Sequence, residues 1–200
     1  MSSPKPVSRI STADYLEAEK HADVKHEYLR GAIWAMVGAT DAHVTVALNL
    51  ATALKNPLRG GPCRVYISAM KVGVETANTF FYPDVMVTCD ARDRESEYDK
   101  HYPCLVVEIL SPSTEAFDRG KKFAVYRELA SLQEYVLIDS QRRAVDGFRR
   151  GSAGQWVLYP YGEGDEVTLA AVQLSVPIAL LYEGVAEGSE GGQDPREALR

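Results

Sequence analysis

The first half of the chain carries two helical patterns separated by short extended segments. Ser11 is a typical N-cap residue and Asp14 follows it by three positions, so a short helix is predicted to begin here. Apolar residues recur at helical spacing over positions 42–56, which predicts a second helix. Runs of apolar and β-branched residues over positions 64–74 and 80–89 predict strands.

In the second half, strand-like segments predominate around one further helix. The apolar run at positions 104–110 has the length of a strand that is covered on both faces. A Ser-Pro-Ser-Thr turn follows it, a helix is predicted from there to about position 130, and positions 135–139 form another apolar strand. The remaining strand-like segments are separated by glycine-containing turns and lie at positions 144–149, 156–161 and 167–174. This order predicts an α/β fold with a mixed β-sheet core, flanking helices and C-terminal β-hairpins.

Length and composition are typical of one globular domain. The chain has 200 residues, of which 46% are hydrophobic and 25% are charged. No run approaches the ~18 apolar residues that a bilayer-spanning helix needs. The N-terminus lacks the apolar stretch of a secretory signal, so we expect no membrane association and a cytoplasmic location. We expect residues 1–10 to be flexible, residues 11–182 to form the domain, and residues 183–200 to form a disordered acidic tail.

Charge and cysteine content narrow the function classes. The formal net charge is −6, which counts against a protein that binds nucleic acid through general electrostatic attraction alone. Cys63, Cys89 and Cys104 are scattered and show no Cys-x-x-Cys spacing, so neither a disulfide framework nor a zinc site is expected. Each lies in an apolar or β-branched run, and we interpret all three as buried packing residues.

Two acidic residues occupy predicted strands. Asp84 follows Pro83, which favours an extended start and donates no backbone hydrogen bond, so Asp84 is expected near a strand end. Glu108 lies in the middle of an otherwise apolar strand. An ionised carboxylate that is buried alone carries a free-energy cost of several kcal/mol. We therefore expect a positively charged side chain or a metal ion against Glu108.

A lysine on the following helix is the candidate for that positive charge. Residues at spacings i, i+4, i+7, i+8 and i+11 share one face of a helix. In this helix they are Asp118, Lys122, Val125, Tyr126 and Leu129. Because this face carries apolar residues, it should pack on the sheet and bring Lys122 with it, whereas Lys121 points about 100° away. The alternative interpretation is a buried Glu108–Lys122 ion pair that has no role beyond the core.

Three further polar residues have both a structural and a functional interpretation. Glu27 is predicted near the end of the early helix, which resumes over positions 23–27, and taken alone it is a solvated helix residue. His43 lies near the start of the second helix, where it either caps the helix or contacts a phosphate or a metal ion. Lys71 lies on the predicted strand before the one that carries Asp84, and it is either an exposed strand lysine or a substrate contact.

These residues, taken in chain order, resemble the Uma-two family of bacterial proteins, which are regarded as endonucleases of the PD-(D/E)XK superfamily. The resemblance extends from about Ser11 to about Tyr182. It is carried by Glu27 followed by Gly31, by His43, by Pro83-Asp84, and by the segments Val107–Thr114 and Asp118–Tyr126. The most specific part reads Glu-x-Leu-Ser-Pro-Ser-Thr and then Asp-x-Gly-x-Lys and Tyr.

The resemblance implies a restriction-endonuclease-like fold with the functional residues at one edge of the sheet. Residue by residue, Asp84 matches the family's aspartate, Glu108 the second acid, Lys122 the lysine and Glu27 the early helical acid. In the superfamily the lysine usually lies two positions after the second acid, where this chain has Leu110. The lysine is therefore expected to come from the helix.

The same resemblance implies an endonuclease that hydrolyses DNA with Mg²⁺, which Mn²⁺ can replace. Asp84 and Glu108 are the expected metal ligands, because Mg²⁺ prefers oxygen ligands. Catalytic roles are expected for both acids and for Lys122 and Glu27, with His43 and Lys71 as candidate substrate contacts. The expected partner is DNA, and the expected assembly is a homodimer, as for many nucleases of this superfamily.

Two other function classes compete with an endonuclease. The first is a catalytically silent module that keeps the nuclease fold and binds nucleic acid or a protein, which the acidic composition favours. The second is a glycosidase that uses a carboxylate pair, but such an enzyme gives no role to Lys122. Retention of the two acids, the lysine and Glu27 favours the nuclease.

Overall fold

A computed structural model describes residues 10–186, so the predictions for residues 1–9 and 187–200 lie outside the described residues. The α-helical segments are α1 (Thr12–Glu19), α2 (Asp41–Lys55), α3 (Glu115–Phe117), α4 (Phe123–Tyr126) and α5 (Ile178–Leu181). Both predicted early helices are present. The Ser11 hydroxyl caps α1 by accepting a hydrogen bond from the Asp14 amide, and α2 covers nearly the whole predicted range. No helix within the described residues is long and apolar enough to span a bilayer.

The larger sheet of the described residues is mixed. Its strands are β3 (Arg64–Ile67), β6 (Val85–Thr88), β8 (Pro103–Leu110), β9 (Glu134–Asp139), β10 (Val145–Arg150) and β11 (Trp156–Tyr161). They lie in the order β11-β10-β9-β8-β6-β3. β8 and β9 pair in parallel, whereas the neighbours on either side pair antiparallel. β8 is therefore a central strand, as its apolar sequence predicts.

A second sheet packs near the first and also mixes strand directions. It consists of β2 (Ala32–Ala35), β1 (His26–Leu29), β5 (Thr79–Phe81), β4 (Lys71–Val74) and β7 (Asp99–Lys100), in that order. A separate C-terminal hairpin pairs β12 (Glu166–Leu169) with β13 (Leu174–Pro177). Together with the β10–β11 hairpin, it confirms the predicted C-terminal hairpins.

Three predicted elements differ from the structure because the chain changes sheet or direction. The predicted strand 64–74 is divided into β3 and β4, and 80–89 into β5 and β6, with the members of each pair in different sheets. The two breaks lie together, since the Ser68 amide donates to the Asp84 carbonyl at 3.1 Å. Positions 23–27 do not resume a helix. Instead, Arg30 and Gly31 both adopt positive φ and form the tight turn of the β1–β2 hairpin.

Side chains alternate along β8 between two apolar cores. Leu105, Val107 and Ile109 belong to the core that contains α2 residues, whereas Val106 and Leu110 belong to the core that contains residues of α4 and the second sheet. Glu108 lies at the position between Val107 and Ile109, so its side chain is directed into the second core. The strand thus places one carboxylate among apolar residues of α4 and the second sheet.

The cysteine prediction was wrong. Cys63 and Cys89 form a disulfide, and Cys104 is a free thiol. All three residues are partly exposed rather than fully buried. The pairing follows from the antiparallel register of β3 and β6: Arg64 lies opposite Thr88, so the residues just outside the ladder face each other. A separation of 26 positions hides this proximity in the sequence.

Candidate active site

Asp84 immediately precedes β6, where the chain crosses from one sheet to the other. The register pairs Val85 with Val107, so Asp84 and Glu108 are the next residues opposite each other. The Ile109 amide donates to Asp84 Oδ2 at 2.7 Å, and His43 Nε2 lies 2.9 Å from Oδ1. The backbone of β8 and a side chain of α2 therefore hold the carboxylate in one orientation.

Glu108 is almost fully buried, with 4% of its side chain exposed. Burial raises the pKa of this carboxyl well above its usual range, Lys122 opposes that shift, and Asp118, Asp84 and Glu27 raise the pKa further. The Glu108 Oε1 atom accepts hydrogen bonds from Lys122 at 3.1 Å and from the Tyr126 hydroxyl at 3.2 Å. The expectation of a positive charge against Glu108 is met by a lysine in the structure.

Lys122 is the centre of a carboxylate cluster. Its ammonium lies 2.8 Å from Glu27 Oε1, 3.1 Å from Glu108 Oε1 and 3.6 Å from Asp118 Oδ1. Burial alone would lower the pKa of this lysine, but the three carboxylates outweigh it and raise the pKa well above the usual value. Lys121 is exposed, so of the two lysines Lys122 is the one that reaches the cluster.

The helix that carries Lys122 is irregular. Asp118–Lys122 forms a π-helical turn between α3 and α4, whereas a regular helix was predicted to about position 130. Asp118 and Lys122 are nevertheless both buried, so the predicted inward face is preserved. π-helical turns inside helices are frequent at functional sites.

Glu27 reaches the cluster from a strand, so its assignment to a helix was wrong. It lies on β1, where 14% of its side chain is exposed, and it contacts Lys122 directly. The Tyr82 amide donates to Glu27 Oε1 at 3.3 Å. The interpretation as a solvated helix residue is therefore excluded, because Glu27 lies on β1, which pairs with β5, and its carboxylate contacts Lys122.

Two buried residues, to which the sequence analysis gave no role, complete the cluster. The Tyr126 hydroxyl donates to Glu108 Oε1. Asp118 is buried next to Lys122, and burial raises the pKa of its carboxyl, an effect that Lys122 opposes. The spacing of Asp118, Lys122 and Tyr126 by four residues was the available signal, because polar groups repeated on an apolar helix face need partners in the core.

Lys71 is not the exposed strand lysine of the simpler interpretation. Only 5% of this residue is exposed, and it lies at the start of β4. Its ammonium lies 5.6 Å from the centre of the Tyr82 ring. It does not join the carboxylate cluster around Lys122.

The donors present fit a hard divalent cation. Asp84 and Glu108 supply carboxylate oxygens, which Mg²⁺ prefers, and Mg²⁺ usually keeps several waters and takes one or two protein carboxylates. Among residues 10–186, no group of three or more His, Cys, Asp or Glu side chains is arranged so that it could hold a metal ion. Lys122 is the positive side chain that contacts the carboxyl groups of Glu27, Glu108 and Asp118, and Asp84 is close enough to raise the pKa of Glu108.

Comparison with known proteins identifies the family. Residues 12–179 match the model of the Uma2 family, which is described as "Putative restriction endonuclease". The chain belongs to the Uma2 family. Two uncharacterized Synechocystis proteins are similar over most of their length. One, slr1290, is 39% identical over 90% of this chain and 95% of its own; the other, sll1609, is 30% identical over 82% and 95%.

A solved structure shares the fold of this Uma2 chain. It is a crystal structure of a protein from Anabaena variabilis described as a putative nuclease belonging to DUF820. The TM-score is 0.72 at 17% identity, and the match covers 87% of this chain and 98% of the other. The resemblance to the Uma-two family and the predicted restriction-endonuclease-like α/β fold are therefore confirmed.

Proposed function

We propose that this Uma2 protein is a metal-dependent endonuclease that hydrolyses phosphodiester bonds of DNA. The observation that carries the proposal is that Asp84, immediately before β6, lies opposite Glu108 of β8, whose carboxyl group belongs to the Lys122 cluster with Glu27 and Asp118. Membership of a family described as "Putative restriction endonuclease" supports hydrolysis of nucleic acid. DNA as the substrate and Mg²⁺ as the cofactor are parts of the proposal.

Asp84 and Glu108 are the proposed metal ligands. Mg²⁺, or Mn²⁺ in its place, would lower the pKa of a bound water and offset the negative charge of the phosphate. The Ile109 amide and His43 hold the Asp84 carboxylate in place before any ligand binds. This fixed orientation reduces the reorganisation that binding and catalysis require.

Lys122 and Glu27 are the proposed catalytic partners of the two acids. Lys122 is a protonated lysine within the cluster, and its ammonium can stabilise the negative charge that develops on the phosphate during attack. Glu27 is held by Lys122 and by the Tyr82 amide, so its carboxylate can accept a hydrogen bond from the attacking water and orient it. His43, beside Asp84, is a proposed contact to the substrate phosphate.

Cleavage of supercoiled plasmid tests this proposal. We expect nicking in Mg²⁺ or Mn²⁺, none in EDTA, and none with Asp84→Asn or Glu108→Gln. Glu17→Gln is the matched control, because Glu17 is an exposed carboxylate with 67% of its side chain accessible. Cleavage that persists in both site variants would exclude this cluster as the source of the activity.

A catalytically silent module is the second candidate, and one observation favours it. The Lys122 ammonium already compensates Glu27, Glu108 and Asp118 without a metal ion, as a purely structural ion cluster would. If the purified protein cuts neither DNA nor RNA with any divalent metal, the silent module replaces the nuclease.

The proposal also includes a cytoplasmic homodimer formed by a single domain over residues 11–182. Light scattering on the purified chain measures the assembly directly. A mass of twice the chain's 22.0 kDa is expected, and a strictly monomeric mass at all concentrations would refute the dimer.

A further inference from the structure

Cys104 lies beside the disulfide rather than alone in the core. Its Sγ atom is 3.7 Å from the Sγ atom of Cys89, which is bonded to Cys63. Cys104 is a free thiol, and its Sγ–H group donates to the Val87 carbonyl at 3.4 Å. A thiol and a disulfide sulfur are therefore in direct contact.

A β-bulge in β8 directs the Cys104 side chain towards this disulfide. The register of β6 and β8 shifts at Cys104, which has no partner on β6. Regular alternation would place the side chains of Cys104 and Leu105 on opposite faces of the sheet. Instead, Cys104 packs against the same apolar core as Leu105, and so do Cys63 and Cys89. The bulge thus brings all three cysteine side chains to one face of the sheet.

The contact between the thiol and the disulfide permits one reaction without any added reagent. A thiolate attacks one sulfur of a disulfide, forms a bond to it, and releases the other sulfur as a thiolate. Cys89 Sγ is the sulfur that Cys104 contacts, so attack at this atom releases Cys63. Such an exchange replaces one disulfide by another and consumes neither an oxidant nor a reductant.

We propose that the three cysteines form a thiol–disulfide exchange site, in which the Cys104 thiolate displaces Cys63 from Cys89. The bond between Cys104 Sγ and Cys89 Sγ forms as the bond between Cys89 Sγ and Cys63 Sγ breaks. Cys63 leaves with the electron pair of the broken bond as a thiolate, and it takes up a proton from solvent to replace the one that Cys104 lost. This inference goes beyond the proposed nuclease function and does not rest on it.

The exchange changes which strands are covalently connected. The bond in the structure joins the residue before β3 to the residue after β6. The exchanged bond joins the end of β6 to β8, and it leaves a thiol at Cys63, which is partly exposed. Glu108 lies on β8 and Asp84 immediately precedes β6. The exchanged disulfide would therefore connect the two strands of the candidate active site at their other end.

The protonation state of Cys104 sets the rate of the exchange. The pKa of this thiol is raised to about 11, mainly by burial; backbone hydrogen bonds oppose the shift, and Glu134 and Asp93 add to it. The thiolate is the nucleophile, and its fraction rises about tenfold per pH unit below this pKa. The exchange should therefore be slow at neutral pH and accelerate in mild alkali.

Peptide mapping tests the proposal, because each cysteine lies in a different tryptic peptide. These peptides cover residues 60–64, 72–92 and 101–119. The purified full chain is held without reductant between pH 7 and pH 9 with iodoacetamide, which alkylates Cys63 once it is released. A low reagent concentration limits direct alkylation of Cys104. We expect alkylated Cys63 together with a disulfide between Cys89 and Cys104, formed about tenfold faster per pH unit.

Cys104→Ser is the matched control, because it lacks the attacking thiol. This variant should keep the Cys63–Cys89 bond and show no alkylated Cys63. The rate in wild type should stay the same when the protein is diluted, since the attack occurs within one chain. Should Cys104→Ser fail to fold, as judged by circular dichroism, the dilution series on wild type decides alone.

Three results would overturn the exchange site. The first is a map that shows only the Cys63–Cys89 pair at every pH, with Cys104 alkylated or unreacted, as a static disulfide requires. The second is alkylated Cys63 in Cys104→Ser, or a rate that rises with protein concentration, since the attacking thiol would then come from another chain. The third is alkylation of all three cysteines with no linked peptides. None of these results depends on plasmid cleavage, so the exchange site and the nuclease are tested separately.

Discussion

Replacement of Lys122 by methionine removes an ammonium that contacts three carboxyl groups. Methionine has a similar length and no charge, so the variant tests the charge more than the packing. Only 8% of the Lys122 side chain is exposed, and 4% and 3% of the side chains of Glu108 and Asp118. Solvent therefore offers little compensation to the carboxylates that remain.

The expected loss in the free energy of unfolding is about 3–5 kcal/mol, the usual cost of removing one partner from a buried ion pair. Lys122 has three such contacts, at 2.8, 3.1 and 3.6 Å, which places the expectation towards the upper end. The neighbouring variant Lys121→Met is the control. Lys121 is exposed, so its replacement should change the free energy by less than about 0.5 kcal/mol.

The loss should depend on pH in a defined direction. Burial raises the folded-state pKa of Glu108 and of Asp118, and removal of Lys122 raises both further. A carboxyl with a raised folded-state pKa stabilises the fold below its unfolded pKa of about 4, and this stability is lost as pH rises through the folded value. The deficit of Lys122→Met should therefore be small in acid and grow towards neutral pH.

Urea denaturation followed by circular dichroism, at several pH values, measures the free energy of unfolding of the wild type, Lys122→Met and Lys121→Met. The argument requires Lys122→Met to be several kcal/mol less stable than Lys121→Met at neutral pH. Equal stabilities of the two variants, or a deficit that shrinks as pH rises, would refute the assignment of Lys122 as the charge partner of the buried acids.

Two further predictions concern a hydroxyl and a disulfide. Tyr126→Phe removes a donor from buried Glu108 and should cost about 1–3 kcal/mol in urea denaturation, whereas Tyr98→Phe, at an exposed tyrosine, should cost almost nothing. Cys63→Ser opens the bond to Cys89 across 26 positions and should cost about 3.5 kcal/mol. Thiol titration of the denatured wild type should detect one free thiol before reduction and three afterwards; three before reduction would exclude the disulfide.

Local patterns predicted the contact between Glu108 and Lys122. Glu108 interrupts an apolar strand, and Lys122 follows on a helix face that packs against the sheet. Because a buried carboxylate needs a positively charged partner, the two were expected to be in contact. The helical spacing does not depend on knowing the sheet order. For this reason the contact was predictable even though the π-helical turn was not.

The remaining parts depend on long-range pairing that no local pattern contains. Glu27 was predicted at the end of a resumed helix, yet it lies on β1 and its carboxylate contacts Lys122. Cys63 and Cys89 join because two strands pair in a particular register. The burial of Lys71 depends on strand order in the second sheet. Register and sheet order are set by the whole core, so these contacts required the structure.

Binding of Mn²⁺, followed by electron paramagnetic resonance, tests the central claim most directly, because it needs neither a substrate nor turnover. The account predicts that wild type binds Mn²⁺ and that Asp84→Asn and Glu108→Gln each bind it more than about a hundredfold more weakly, since loss of an outer-shell partner alone costs about 10–100-fold. Glu17→Gln should bind like wild type. Equal Mn²⁺ affinity in all four proteins, or no binding by wild type, would contradict a metal site formed by Asp84 and Glu108.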